Sequence, residues 1–540
     1  MKRRDFALAL GGVAAGVGAG AAIGPAGAQT PASGGSLTIV FPANQEPASL
    51  DGHIDPFQST WLLNSFVADP LVVLDSDGRY KPALALSWES TPDGRSWTFR
   101  LRRGVSFQDG TPFNAAAVKY NIERILAPAT ASKQLASDIG PVARIDTPDD
   151  LTVRLNYDTP WVTLLDAVRR APIWSPTAAE RHGLQEFQRN LVGAGPFTLA
   201  DWVKNDRMVF RRWPGYGGWN AAAAHQGPAR LEQVTIRFIG ENAVLNEAVR
   251  AGAAHVGFSL TPAAIEIYKG RGNFRFLTLG QAGTGLQMVM NIRRPPLNDI
   301  RVRQALLFAR DSRAINDLLY DGAYIASDGP LDNVHPCFWP GATEMYRTDL
   351  DRARRLLDEA GWRVVPGQQI RQARGVAGVA DGTPLRIRWT TIHHREIGEA
   401  VQAQYRRVGI DLQVEQVPGP IQLDRVNRRD FDLMFLRQRS PDPLILDQVW
   451  NSRWDRPGGW AWTGFADARL DGLLNQLRSL PSAEDRCNVA REAQRIIMEN
   501  ALLLPTLSQP VLVAMQPRVQ EFKMGAEGNW FFLHSTWLQA

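Results

Sequence analysis

The most constraining stretch of this 540-residue chain is Leu71 to Arg124, where three Asp-Gly pairs fall in a fixed order among apolar runs. Asp77-Gly78 separates two apolar segments, Asp93-Gly94 precedes alternating Trp97, Phe99 and Leu101, and Asp109-Gly110 leads through Thr111-Pro112 into a helical pattern with Ala116, Ala117, Tyr120 and Ile125. Asp-Gly supplies the positive φ that a tight hairpin needs, so the block reads as two hairpins and a helix. A chain this long exceeds what one core can organise and predicts two to four domains of roughly 100–200 residues. Its 44% hydrophobic and 21% charged content suit a globular chain rather than a disordered one.

The same block carries Pro82, Leu84-Ala85, Ser87-Trp88-Glu89, Asp93-Gly94, Phe99, Leu101-Arg102, Val105, Phe107, Asp109-Gly110, Pro112-Phe113, Ala115 and Val118. A second block two hundred residues on has Met290-Asn291, Pro295-Pro296, Asp299 and Arg301-Val302-Arg303-Gln304-Ala305-Leu306. In that order these residues resemble the extracytoplasmic solute-binding proteins of ABC importers, in the family that takes up peptides and nickel. The resemblance spans most of residues 36–525. It implies a class II periplasmic-binding fold: two α/β lobes, with an extra subdomain inserted in the first.

The order of elements agrees. Leu37–Phe41 is a short apolar run that reads as a buried strand, followed by a loop with Glu46-Pro47 and Leu50-Asp51. Val234-Ile236-Phe238, a helix over 241–251 and His255–Phe258 make a βαβ unit, as do the Leu385-Ile387-Trp389 strand, the helix ending at Gly409 and Ile410-Leu412-Val414. The expected segments are a first lobe from 36–80 and 191–280, an inserted subdomain at 81–190, a second lobe at 281–507 and a return at 508–540. The chain therefore crosses between lobes near Gly280 and Ser508, with the strands near 502–506 and 510–514 returning to the first lobe. Residues 364–379 read as a surface loop.

At the N-terminus, Lys2, Arg3 and Arg4, an Ala/Gly-rich apolar run from Phe6 to Ile23 and the small residues Ala26-Gly27-Ala28 read as an export signal. Arg3-Arg4-x-Phe6 looks like a twin-arginine signal; an ordinary secretory signal or an uncleaved anchor is the alternative. Cleavage after Ala28 removes three basic residues and Asp5, leaving a mild positive charge on a periplasmic chain. The scattered basic residues give nucleic-acid binding little support. No later run of about 18 apolar residues appears, so no membrane span is expected. Cys337 and Cys487 either pair or remain two buried thiols.

In open α/β sheets ligands sit beyond the carboxyl ends of parallel strands. In the second lobe those ends are Trp389-Thr390, Val417-Pro418 and Leu436-Arg437. The loop Arg437-Gln-Arg439-Ser440-Pro441-Asp442-Pro443 follows the last. Peptide-binding members of the family place an acidic residue a few positions before this Asp-Pro to pair with the peptide ammonium; here Arg439 stands there. Its planar donors suit carboxylate or phosphate, which points to an anionic solute or a carboxylate-bearing chelate. The competing reading makes Arg437 and Arg439 members of surface ion pairs. The candidate binding set is Trp389, Thr390, Arg437, Arg439 and Asp442, with Glu46 and Gln287 added on the facing side and at the entry strand. Trp389 either stacks on ligand or packs in the core.

No metal site or cofactor is expected. His393-His394-x-Glu396 follows a strand and opens a helix, without a third ligand at metal spacing, and His335-Pro336-Cys337 is equally short of ligands. Gly193-Ala-Gly195-Pro196-Phe197 lacks the Gly-Lys-Ser/Thr of a phosphate loop. No nucleophile or zinc motif of a hydrolase appears, so the chain is expected to bind rather than catalyse. The expected function is a monomeric receptor that captures a peptide or small polar or anionic solute and hands it to an ABC permease and its ATPase. A hydrolase on the same scaffold, or a sensory or chaperone binding protein, is the alternative.

Overall fold

The computed structural model describes residues 31–539, apart from 56–57, 77, 224, 269, 271–272, 457–458, 526–527 and 529. The export signal therefore lies outside the described residues.

The first lobe is built on a seven-stranded sheet. In spatial order its strands are Arg275–Leu279, Val511–Met515, Val256–Phe258, Ser36–Pro42, Gln233–Ile239, Arg207–Arg212 and Phe197–Val203. Ser36–Pro42 sits in the middle and pairs in parallel with both Gln233–Ile239 and Val256–Phe258. The βαβ unit read from sequence thus crosses over the central strand rather than pairing its own two strands. Parallel central strands are buried on both faces, which is why Leu37, Ile39, Val40 and Phe41 are all apolar. Leu37, Ile39 and Phe41 join one cluster with Phe66, Phe210 and Phe531, while Val40 faces another with Leu245, Val249 and Leu512.

Residues 85–157 form a separate four-stranded antiparallel sheet, ordered Ala85–Ser90, Ser96–Leu101, Thr152–Tyr157 and Val142–Asp149. Phe99 and Leu101 lie on one face with Val153 and Leu155, against the helix Ala115–Leu126. Antiparallel sheets tolerate one wet face, and Leu86 and Glu89 are exposed here. Gly94 has φ +66° in the turn of the first hairpin. Asn114 caps the helix through Ala117 N–H.

The Gly193-Ala-Gly195 turn packs on the end of the helix Gln58–Val67. A Cβ on Gly195 would stand 2.5 Å from the Val67 carbonyl carbon, and one on Gly193 2.4 Å from its oxygen. The glycines are there for backbone against backbone.

The second lobe has a six-stranded sheet ordered Ile325–Ala326, Leu503–Ser508, Leu286–Met290, Leu433–Leu436, Arg386–Thr391 and Asp411–Gln416. Arg386–Thr391 runs parallel to both neighbours, and Leu286–Met290 antiparallel to both of its own. Leu503–Ser508 stays in this sheet, so of the last two long strands Val511–Met515 alone returns to the first lobe; the expectation that both return is corrected. The reading of 364–379 as a surface loop is also incomplete. Gln372–Ala373 pairs with Trp362–Arg363, and Arg371 is buried, donating to the carbonyls of Val408 and Trp362 and to Asp358. The polar composition hid a structural arginine whose bonds are long-range.

Cys337 and Cys487 form a disulfide across 150 residues. It ties the loop ahead of residue 340 to the helix Ala483–Glu499, and Gln494 reinforces it by donating to the Cys337 carbonyl at 2.8 Å. Between the two large sheets the chain passes twice, through residues 280–285 and through Gln509-Pro510. Two lobes joined by two short connections have the geometry of a hinge.

Candidate binding cleft

The loop that follows Leu433–Leu436 is stitched to the first connection. Thr284 N–H donates to the Gln438 carbonyl at 2.8 Å, Gln438 N–H to Thr284 Oγ1 at 2.8 Å, and Ser440 N–H to the Ala282 carbonyl at 3.1 Å. Gly283 makes this approach: its φ is +153°, and a Cβ would lie 2.2 Å from the Gln438 oxygen. The stitching carries Arg439 to the first lobe, where its Nη1 donates to Gln58 Oε1.

Around that bridge lies a small interlobe pocket of about 50 Å³, lined by Gln58, Trp61, Arg169 and Arg170 on one side and Gln281 and Arg439 on the other. Arg169 and Arg170 directly follow the short helix Leu164–Val168, so both guanidiniums sit beside its Asp166. Asp166 pairs with Arg169 at 2.6 Å and with Arg170 at 2.7 Å, and Arg170 also reaches Asp138 at 3.0 Å. Burial pushes the Asp166 carboxyl up, but the two guanidiniums outweigh it and hold it below the usual carboxylate range. The Arg170 guanidinium stacks 5.0 Å from the Trp61 ring centre. Three guanidiniums line this pocket with one carboxylate, and Asp138 stands against Arg170 beside it.

On the other side of the connections the lobes part into a cleft of about 580 Å³. Asn44, Gln45 and Thr261 face it from the first lobe, Tyr320, Tyr324 and Glu396 from the second, with Gln509 at its floor. Glu396 accepts from His394 at 3.2 Å and from Tyr320 Oη at 2.8 Å; the His394 bond, aided by that of Tyr320, holds its pKa at about 2 despite partial burial. His394 is thus engaged with a carboxylate on its own helix, and among the described residues no group of three metal-ligating side chains occurs.

The residues singled out from sequence are distributed unevenly. Arg439 lines the pocket. Arg437 lies behind it, donating to Gln509 Oε1 at 2.6 Å, to the Gln509 carbonyl at 3.1 Å and to Gln281 Oε1 at 3.2 Å. These bonds go to amides, not to the carboxylates of a surface ion pair. Trp389 is in the second lobe's core, packed on Gly398, and Thr390 is buried and accepts from Arg425 at 3.3 Å. The strand ends here are covered by their own following loops and helices, which takes both side chains inside. Gln287 is fully buried in mid-sheet. Asp442 accepts from Leu444 N–H and pairs with Arg486, bracing its loop. Glu46 accepts from Trp202 Nε1 at 3.0 Å and from Asn205 N–H at 2.9 Å, anchoring its loop to the Phe197–Arg212 hairpin. Sequence reasoning missed Gln58, Trp61, Arg169 and Arg170. The paired arginines after an apolar helical run were the visible signal; their meeting with Arg439 is purely tertiary.

Residues 79–452 match the family model described as bacterial extracellular solute-binding proteins, family 5. The chain is 27% identical to the glutathione-binding protein GsiB of Shigella flexneri, over 87% of this chain and 89% of that one. It is 24% identical to a probable D,D-dipeptide-binding periplasmic protein, DdpA, of Escherichia coli, over 90% and 91%. Among solved structures it is similar to NikA from Brucella suis in complex with Fe(III)-EDTA, with TM-score 0.80 and 24% identity over 94% of this chain and all of that one. It is also similar to DppA from Helicobacter pylori in complex with the peptide STSA, with TM-score 0.72 and 20% identity over 94% and 99%.

Proposed function

This chain belongs to the bacterial extracellular solute-binding proteins of family 5, and from that premise we propose that its own solute is a small, carboxylate-bearing anion, a short peptide or a peptide-like conjugate among them. The chain is a solute-binding receptor of an importer; the proposal concerns what it takes. The supporting observation is the interlobe pocket where Arg169, Arg170 and Arg439 converge with one lining carboxylate, Asp166. A carboxylate entering there exchanges water for fork-shaped donors, and hydrogen bonds to charged groups contribute about 1.5–3 kcal/mol each. Trp61 offers an aromatic wall beside them. Glutathione, named for the Shigella relative, has two carboxylates and one ammonium and fits this charge balance.

In this reading the protein works outside the cytoplasm as a monomer, closes on its solute, docks on a permease powered by an ATPase, and leaves every bond of the solute intact. Calorimetry of the mature protein with glutathione, with dipeptides and with their amidated counterparts tests it. Saturable binding of carboxylate forms over amides is expected. Preference for the amides, or for a cationic peptide, would overturn the anionic assignment.

A further inference from the structure

The wide cleft of about 580 Å³ shares no lining residue with the arginine pocket. Both lobes wall it: Asn44, Gln45 and Thr261 come from the first, and Tyr320, Tyr324 and Glu396 from the second. Among the described residues that line it there is no lysine, no arginine and no second carboxylate. Glu396 is the acid of this space, and its neighbours across the cleft are neutral amides and hydroxyls.

The local chain sets that carboxylate up. Glu396 lies in the first turn of the helix Arg395–Arg406, where free backbone N–H groups favour a negative charge. His394, just before the helix, takes a left-handed conformation with φ +57° and places its Nδ1 3.2 Å from Glu396 Oε1. Tyr320 Oη donates to the same oxygen at 2.8 Å, and the Tyr320 ring is held by stacking on Tyr324, ring centres 3.9 Å apart. Both bonds fall on Oε1 and the side chain is 47% exposed, so Oε2 keeps lone pairs for a ligand. The same bonds keep the acid ionised, at about 2, against its partial burial. Burial raises both phenols, Tyr324 to about 12, so the tyrosines bring no charge of their own.

We propose that this cleft is a second binding site, separate from the arginine pocket, which takes a small ammonium-bearing molecule and pairs its ammonium with Glu396. An ammonium has three donors and no acceptor. Glu396 Oε2 meets one of them, and the side-chain carbonyls of Asn44 and Gln45 on the facing wall suit the others. An anion entering here meets a carboxylate and no cationic side chain of lysine or arginine among the described lining residues. A molecule bound in this cleft touches both lobes at once, so its occupancy bears on how they close. The proposal rests on the two-lobed fold and not on the carboxylate assignment.

Titration calorimetry of the mature protein at pH 8 with 1,4-diaminobutane, and with 1,4-butanediol as its uncharged counterpart, tests it. The diamine is expected to bind saturably and at least tenfold more tightly than the diol. E396Q, which keeps the shape and removes the charge, is expected to weaken the diamine tenfold or more and to leave the diol unchanged. Equal affinity for diamine and diol, or full diamine affinity in a folded E396Q, would overturn the proposal. If E396Q does not fold, the comparison of diamine and diol on the wild type decides. The diamine carries no carboxylate, so these outcomes stand apart from the arginine pocket, which glutathione and its amidated form test separately.

Discussion

At the scale of single residues, the chemistry concentrates on a few charged side chains whose surroundings differ. Arg439 reaches across the cleft to the Gln58 side-chain amide, a bond for which a solute carboxylate would compete. R439A is therefore expected to weaken an anionic solute by tenfold or more, about 1.4 kcal/mol, and its amidated form by less than threefold. Titration calorimetry reads the ratio, and equal losses for both forms would contradict the charge argument. Asp332 gives a second prediction. Its folded pKa of about 7 lies above the ordinary carboxyl value of 3.8. Its contribution to stability is therefore fully present below pH 3.8 and is lost as pH rises through about 7. D332N cannot ionise, and it is expected to exceed the wild type in stability by about 1–4 kcal/mol at pH 8. Denaturant melts at pH 4 and pH 8 should show the gain at the higher pH alone.

At the scale of elements, the hinge loop and the longest helix are one mechanical unit. Residues 332–337 run from the Asp332 bonds with Gly283 and Ser508 to the disulfide with Cys487, and Gln494 of the same helix donates to the Cys337 carbonyl. Closing 150 residues of chain restricts the unfolded ensemble strongly. Loss of the bond in C487S is expected to cost about 2–5 kcal/mol, visible as a lower melting temperature that added reductant reproduces in the wild type. An unchanged melting temperature would mean that the Gln494 bonds and local packing suffice. The same elements show what sequence pattern conveys. Helix caps such as Asn114, Asp299 and Ser482 fall where local residue types place them, because a cap depends on neighbours two or three positions away. Arg371 escapes such reading, because its partners Asp358, Trp362 and Val408 lie 9 to 37 residues away.

At the scale of the whole molecule, two α/β lobes meet along a cleft and are joined by two short connections. Small-angle scattering should show a smaller radius of gyration when a carboxylate-bearing solute saturates the mature protein, and mass spectrometry should recover that solute unaltered. A constant radius with saturated binding would mean that the lobes are already closed in solution. Recovery of cleaved solute would place the chain among hydrolases instead. The volume around Arg439 is small, and the cleft lined by Glu396, Tyr320 and Asn44 is wide.

Sequence by itself determined the family, the two βαβ units, the hairpins at the Asp-Gly pairs and the choice of the loop after Leu436 as the place to look, because each is written in local periodicity, turn residues or ordered motifs. Tertiary structure alone decided that Trp389 and Thr390 belong to the core while Trp61, Arg169 and Arg170 face the pocket. It also decided that Cys337 meets Cys487 and that Arg437 reaches both Gln281 and Gln509. The physical reason is distance along the chain. A residue's burial and partners at a cleft are fixed by segments hundreds of positions away, as with Gln58 and Arg439, and no local pattern encodes such a meeting.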